Sequence, residues 1–318
     1  MNRRSLLLSP LAPLALPALA QEAYPARPVN VVVPWGPGGP TDTFARVLTA
    51  KLSADLGQPF VVDNRVGANG TIGMAAAARL RPDGYNLVIT PNSTYAAAPH
   101  LYQLPFDMAA AFAGVGLLVS MPMFMLVSRA SDIDSVAQYV SRARRGGQTY
   151  ANAGVGATSH LATEQFLQAA GIEVLEVGYR GGGPAVQAVL TGEAGMVFMP
   201  AASVMGFIGS GELKALGVCA ATRSPLAPQV PTFAEQGLPG VEVVEHVAML
   251  APAGTPEPIL RRLNQACTAA LTAPELAPRL QALAVTPERQ PLEAWPAYAT
   301  AESARLGAII RSRNIRLS

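Results

Sequence analysis

The chain has 318 residues, 50% hydrophobic and 14% charged, a composition that excludes intrinsic disorder and allows one large domain or two of ordinary size. Its formal net charge is +2, so it lacks the basic footprint of a nucleic-acid scaffold, and no nucleic-acid partner is expected. Two cysteines, Cys219 and Cys267, and three widely spaced histidines, His100, His160 and His246, rule out a disulfide framework and a four-ligand zinc site, and no metal or other cofactor is expected.

Residues 1–20 read MNRRSLLLSPLAPLALPALA. Arg3 and Arg4 form a positive start, residues 6–19 are uncharged and leucine-rich, and Ala18-Leu19-Ala20 is a small-x-small cleavage pattern ahead of Gln21. These are the parts of a secretory signal peptide, so the mature chain is expected to begin near Gln21 and to work in a periplasm-like space. Setting Arg3 and Arg4 aside leaves 21 basic against 21 acidic residues. The short apolar stretch, broken by Pro10, Pro13 and Pro17, argues against a membrane anchor. Residues 108–128 and 194–211 also lack charge. Each carries a proline, Pro122 or Pro200, and several small residues, so both read as buried elements of an α/β protein.

Residues 29–34 (VNVVVP) are a β-branched run that predicts a buried parallel strand entering the turn Gly36-Pro37-Gly38-Gly39. Residues 41–56 place Phe44, Val47, Leu48 and Leu52 at helical spacing, and Gly57 stops that helix. A strand over 60–63, a loop over 67–70, a helix over 72–80, a turn at 81–84 and a strand over 86–90 follow. This β-α-β-α-β order is a doubly wound α/β signature. It repeats further on: strand 149–151, helix 160–170 closed by Gly171, strand 174–177, helix 184–191, strand 196–199, a short helix 207–210 and strand 215–219. Thr255-Pro256 reads as an N-cap followed by a first-turn proline, opening helices over 257–271, 275–283 and 292–313. Two α/β units and a helical C-terminal part suit a two-domain exported protein.

Glycine-rich loops lead from strand to helix at residues 36–42, 154–159 and 180–184. The first N–H groups of a helix have no intrahelical acceptor and carry the positive end of the dipole, so such loops can cradle an anion without an arginine. In open α/β sheets they gather at the carboxyl ends of the strands, where ligands bind. Thr41, Ser93, Thr158 and Ser159 add hydroxyl donors on or near these loops. There is no G-x-x-x-x-G-K-[ST] and no G-x-G-x-x-G, so carboxylate is favoured over phosphate or a dinucleotide. Ser159-His160 lack a G-x-S-x-G elbow; His160 reads better as a packing or hydrogen-bonding residue than as a base, and Asp42 as a first-turn cap. The chain is expected not to be an enzyme, with a periplasmic hydrolase as the runner-up. Cys219 and Cys267 read as buried free thiols.

Motifs spread over nearly the whole mature chain resemble the solute receptors of tripartite tricarboxylate transporters, the Bug family. Tyr24-Pro25-Ala26-Arg27-Pro28-Val29, Val33-Pro34, Pro37-Gly38-Gly39, Asp42 and Ala45-Arg46 match the opening motif. Asn64-Arg65-Val66-Gly67-Ala68-Asn69-Gly70 with Ile72-Gly73, and Pro82-Asp83-Gly84-Tyr85, follow. The stretch from Gly154 through His160 to Leu161 and the stretch Tyr179-Arg180-Gly181-Gly182-Gly183-Pro184-Ala185 match next. Val230-Pro231-Thr232-Phe233-Ala234-Glu235 with Gly237, and Ala251-Pro252-Ala253-Gly254-Thr255-Pro256, complete the order.

The resemblance implies a periplasmic-binding-protein-like fold: two doubly wound α/β lobes with a ligand cleft between them, closing on a small organic acid. Lobe 1 would hold residues 21–122 and 247–318, and lobe 2 residues 123–246, with crossings near residues 121–127 and 246–251. The ligand-binding residues it implies are Pro37, Gly38, Gly39, Thr41, Asp42, Asn92, Ser93, Gly156, Thr158, Ser159, His160, Arg180, Gly181, Gly182 and His246. It implies a monomer that passes its ligand to membrane transporter subunits, with a sensor kinase as the alternative recipient. Two departures bear on specificity: His246 stands where the family commonly has tryptophan, and Gly195 where it usually has aspartate.

Overall fold

The computed structural model describes residues 24–179 and 181–317, so the proposed signal segment lies outside the described residues. In chain order the elements are β1 (Val29–Val33), α1 (Pro40–Leu56), β2 (Phe60–Asn64), α2 (Thr71–Ala77), β3 (Asn86–Pro91), α3 (Met108–Ala111) and β4 (Phe112–Ser128). Then come α4 (Val136–Ala143), β5 (Thr149–Asn152), α5 (Thr158–Ala170), β6 (Leu175–Gly178), α6 (Gly182–Leu190), β7 (Val197–Pro200), α7 (Ala201–Ser210) and β8 (Leu213–Cys219). The chain ends with β9 (Val244–Pro252), α8 (Glu257–Thr272), α9 (Ala277–Ala282), β10 (Thr286–Pro287) and α10 (Trp295–Ser312).

The first lobe is a sheet in the order β10-β4-β9-β3-β1-β2, in which β1 runs parallel to both β2 and β3. The valine-rich sequence of β1, interrupted at Asn30, has the cause it suggests. Val29, Val31 and Val33 face α1 and α8, packing with Phe44, Leu48 and Leu263, while Val32 faces the opposite layer with Met74 and Tyr95. Gly57 ends α1 in the left-handed conformation that glycine adopts most readily, φ 70.

The parallel core is completed by antiparallel strands. β9 pairs antiparallel with β3 and with β4. The 17-residue β4 changes partners along its length: Phe112 to Pro122 pair with β9, Met123 to Leu126 lie between β7 and β8, and Val127 and Ser128 pair with β8. At ~3.3 Å per residue it reaches ~56 Å, through both layers of the molecule. This accounts for the charge-free stretch at 108–128, since the half of β4 beyond Pro122 is buried without a break. No helix among the described residues is long and apolar enough to cross a membrane.

The second lobe builds on the far half of β4, with β7 and β8 beside it and the parallel pair β5–β6 joined through a bridge between Tyr150 and Met196. Helix α10 spans both lobes: its Trp295 packs beside Tyr95 in the first, and beyond its other end Arg313 reaches Glu164 of α5 in the second.

Two local readings need correction. Helix α7 begins at Ala201, directly after β7, and not at residue 207. Thr255 does not cap α8: its hydroxyl donates to the Pro252 carbonyl at 2.8 Å, and Pro256 holds the cap position. The stretches expected as lobe crossings lie in β4 and β9: Met121 and Pro122 pair with Glu245 and Val244, whereas Met123 onward pairs with β7 and β8.

Candidate functional site

Four loops follow the carboxyl ends of β1, β3, β5 and β6, and hydrogen bonds link each to the next. The first follows β1. Gly38 adopts φ 78, a conformation that favours glycine, and its N–H donates to Asp42 Oδ2 at 2.9 Å. Arg46 Nε donates to the same oxygen at 2.9 Å, and Asn64 Nδ2 to Oδ1 at 2.8 Å. Burial pushes the Asp42 carboxyl up, but the hydrogen bonds from Arg46, Gly38 and Asn64 outweigh it and hold the pKa below the ordinary value. Asp42 is therefore an anion committed to the loop, and it shapes the site from beneath. Pro37 and Gly38 are exposed, Gly39 is half-buried and Thr41 is buried.

The second loop follows β3. Asn92, Ser93 and Thr94 are buried at its start. Asn92 Nδ2 donates to the Val244 carbonyl at 2.9 Å and to Glu302 Oε1 at 2.8 Å. Trp35 Nε1 donates to Thr94 Oγ1 at 3.0 Å, which ties the first loop to the second. Asn69, in a left-handed conformation with φ 52, donates through Nδ2 to the carbonyl of Ser93 at 3.2 Å and to that of Gly156 at 3.4 Å.

The third loop follows β5. Gly156 has φ 77, a conformation that favours glycine, and an added Cβ would have to displace the end of the Leu101 side chain. Its N–H donates to His160 Nδ1 at 3.1 Å. Thr158, Ser159 and His160 are buried in the first turn of α5. The His160 ring stacks near Tyr150, and Nε2 lies 3.8 Å from Glu176 and 3.9 Å from Glu164. Burial lowers the His160 pKa, with the two carboxylates pulling the other way. Because Nδ1 accepts from Gly156, the neutral ring carries its proton on Nε2 and acts as a brace for the loop.

The fourth loop follows β6. Gly181 takes φ 105 and its N–H donates to the Ala153 carbonyl at 3.0 Å, joining the third loop to the start of α6 at Gly182. Arg180 lies outside the described residues. His246 shares a neighbour with the second loop, the Glu302 Oε1 atom that accepts from Asn92. It faces α10, edge-on to Tyr298 and 4.0 Å from Glu302 Oε1, with Nδ1 unpartnered among the described residues.

Hydrogen bonds tie the first loop to the second through Trp35 and Thr94, the second to the third through Asn69 and through Thr158 with Asn92, and the third to the fourth through Gly181 and Ala153. Asn64 and Asn69 belong with them as positioning residues; their place in the opening motifs was the available signal. Helices α1, α5 and α6 start here, at Gly39, Ala157 and Gly181, and none of these cap residues supplies a side-chain cap bond. Their first N–H groups are left to water or to a ligand anion. The residues form no serine nucleophile, because the acceptor nitrogen of His160 is taken by Gly156 and not by Ser159. No group of three or more metal-ligating side chains occurs among the described residues. Cys219 and Cys267 are free and buried.

Comparison with known proteins agrees with this architecture. Residues 44–315 match the profile of the tripartite tricarboxylate transporter family receptor. The chain is 33% identical to protein BugT of Bordetella pertussis over 312 residues, covering 96% of this chain and 95% of that one. An R. palustris protein solved with adipate superposes with TM-score 0.86 at 31% identity, covering 92% of this chain and 99% of the other. MatC from Rhodopseudomonas palustris with bound malate gives 0.81 at 32% identity, covering 90% and 100%. Relatives with the same two lobes are described as periplasmic binding and solute-binding proteins. The chain belongs to the Bug family of tripartite tricarboxylate transporter receptors and has its periplasmic-binding-protein fold, two α/β lobes around a ligand cleft.

Proposed function

We propose that the protein is an exported, monomeric receptor that captures a small organic carboxylate in the interlobe crevice and delivers it to a tripartite membrane transporter. The observation that carries this reading is that α1, α5 and α6 each start without a side-chain cap bond, on loops that hydrogen bonds link to one another. The carboxylates held by the two R. palustris relatives support it. The ligand carboxylate is held mainly by backbone N–H groups and hydroxyls, including Thr41, Ser93, Thr158 and Ser159. Lobe 1 comprises residues 21–122 and 247–318 and lobe 2 residues 123–246; the change of β4 partners between Pro122 and Met123 supports the first boundary. Closure bends β4 and β9. Export through residues 1–20 places the receptor in the periplasm.

A thermal-shift screen of organic acids tests the reading, because a ligand bound only by the folded state raises the melting temperature. At least one small carboxylate is expected to raise it in a concentration-dependent way. A panel of di-, tri- and monocarboxylates that leaves it unchanged sinks the proposal.

A further inference from the structure

The brace that holds the third loop is titratable. His160 Nδ1 accepts the Gly156 N–H at 3.1 Å, and the ring is buried. Its Nε2 faces two carboxylates, Glu164 of α5 at 3.9 Å and Glu176 of β6 at 3.8 Å. The Tyr150 hydroxyl of β5 lies between them, 2.8 Å from Glu164 Oε1 and 3.1 Å from Glu176 Oε2. Arg313, beyond α10, donates to Glu164 at 2.6 Å and lies 3.4 Å from Glu173, while Asn152 donates to Glu176 at 2.6 Å. Two hydrogen bonds cross from the same loop to lobe 1. The Gly156 carbonyl accepts from Asn69 at 3.4 Å, and the Thr158 hydroxyl donates to Asn92 at 3.3 Å.

The brace works only with a neutral ring. Nδ1 supplies the lone pair that the Gly156 N–H needs, so a proton there sets one N–H against another and the bond is lost. On the other edge of the ring, Glu164 and Glu176 attract the imidazolium and draw it away from Gly156. Burial opposes the charge, so protonation comes below the ordinary histidine value. We propose that His160 is a proton-operated latch: a proton on Nδ1 releases the Gly156 N–H, loosens the third loop and weakens its hydrogen bonds to Asn69 and Asn92 of lobe 1. Resting on the carboxylate-receptor reading above, the latch makes lobe closure, and with it ligand capture, weaken as the surroundings turn acid.

The test needs no ligand. NMR follows the Gly156 amide, the Asn69 side-chain amide and the His160 ring from about pH 8 downward, as far as circular dichroism shows the native fold. The Gly156 amide is expected to move in one step with the midpoint of the ring, below about pH 6.5. Its protection from hydrogen exchange should fall at least about tenfold across that step, and the Asn69 amide should shift with it. His160→Asn keeps an acceptor at the place of Nδ1 but does not titrate, so the step should vanish. Glu176→Gln removes one of the attracting carboxylates and should move the step to lower pH. Should His160→Asn fail to fold, the wild-type titration and Glu176→Gln decide. A Gly156 amide that does not follow the ring, or a ring that stays neutral wherever the fold persists, overturns the latch. So does a step that survives His160→Asn or is unmoved by Glu176→Gln. Each of these leaves the receptor reading standing, because that reading is judged by the organic-acid screen.

Discussion

Thr158, the first residue of α5 in lobe 2, donates its hydroxyl to Asn92 Oδ1 in lobe 1 at 3.3 Å. The amide nitrogen of Asn92 is spent on Val244 and Glu302, so one buried side chain joins the end of β3, the start of β9, helix α10 and the opposite lobe. Asn92→Ala is expected to leave the Val244 carbonyl without this donor and Glu302 held by Arg305, and to destabilise the fold by ~1–3 kcal/mol. Urea denaturation reads this directly; a midpoint equal to that of the wild type refutes the bridging role.

Gly39→Val separates binding from folding. The Gly39 backbone is extended, with φ −71 and ψ 166, and an added Cβ meets only the Gly36 carbonyl, at 3.4 Å. The variant is expected to keep its melting temperature within a few degrees. Its affinity for whichever acid the thermal screen identifies should fall more than about tenfold, because the side chain covers the start of α1. Unchanged affinity in calorimetry removes that helix start from the site.

Glu245 makes stability depend on pH with a definite sign. Its pKa is raised from 4.5 to about 7, so between these values the folded state binds the proton more tightly than the unfolded one. Its contribution is therefore neutral at lower pH and grows unfavourable as pH rises through the window, to at most on the order of 3 kcal/mol. The stability gap between Glu245→Gln and wild type should widen in favour of the variant from about pH 5 to about pH 8, measured by denaturant titration. A gap independent of pH contradicts the assignment.

Arg313 clasps the lobes from the end of α10. Its Nε donates to Glu164 Oε2 at 2.6 Å, and the Glu164 side chain is only 10% exposed. Arg313→Ala leaves that carboxylate with the Tyr150 hydroxyl and the nearby His160 ring, and is expected to cost ~2–3 kcal/mol. Arg313→Lys should recover part of the loss. Equal urea midpoints for wild type and Arg313→Ala count against the clasp.

Much of the molecule is written in short stretches of its sequence. The apolar run of β1, the glycine turn after it, the helix of α5 ended by Gly171 with φ 60, and the order of the strand-to-helix motifs all depend on neighbours a few residues apart. Steric limits on φ and hydrophobic periodicity act at that range, so these elements and the family were legible without coordinates. Other features were settled only by the tertiary fold. Asn92 meets Thr158 across 66 residues and Glu302 across 210, and Asn69 reaches Gly156 across 87. The pairing of β4 with β9 set Glu245 opposite Met121 and His246 opposite Ser120, with the His246 ring against Tyr298 of α10. Nothing local distinguishes Glu245 from a solvated glutamate. Its burial comes from strands and helices that lie far apart along the chain, and a buried polar group takes its partner from topology and not from periodicity.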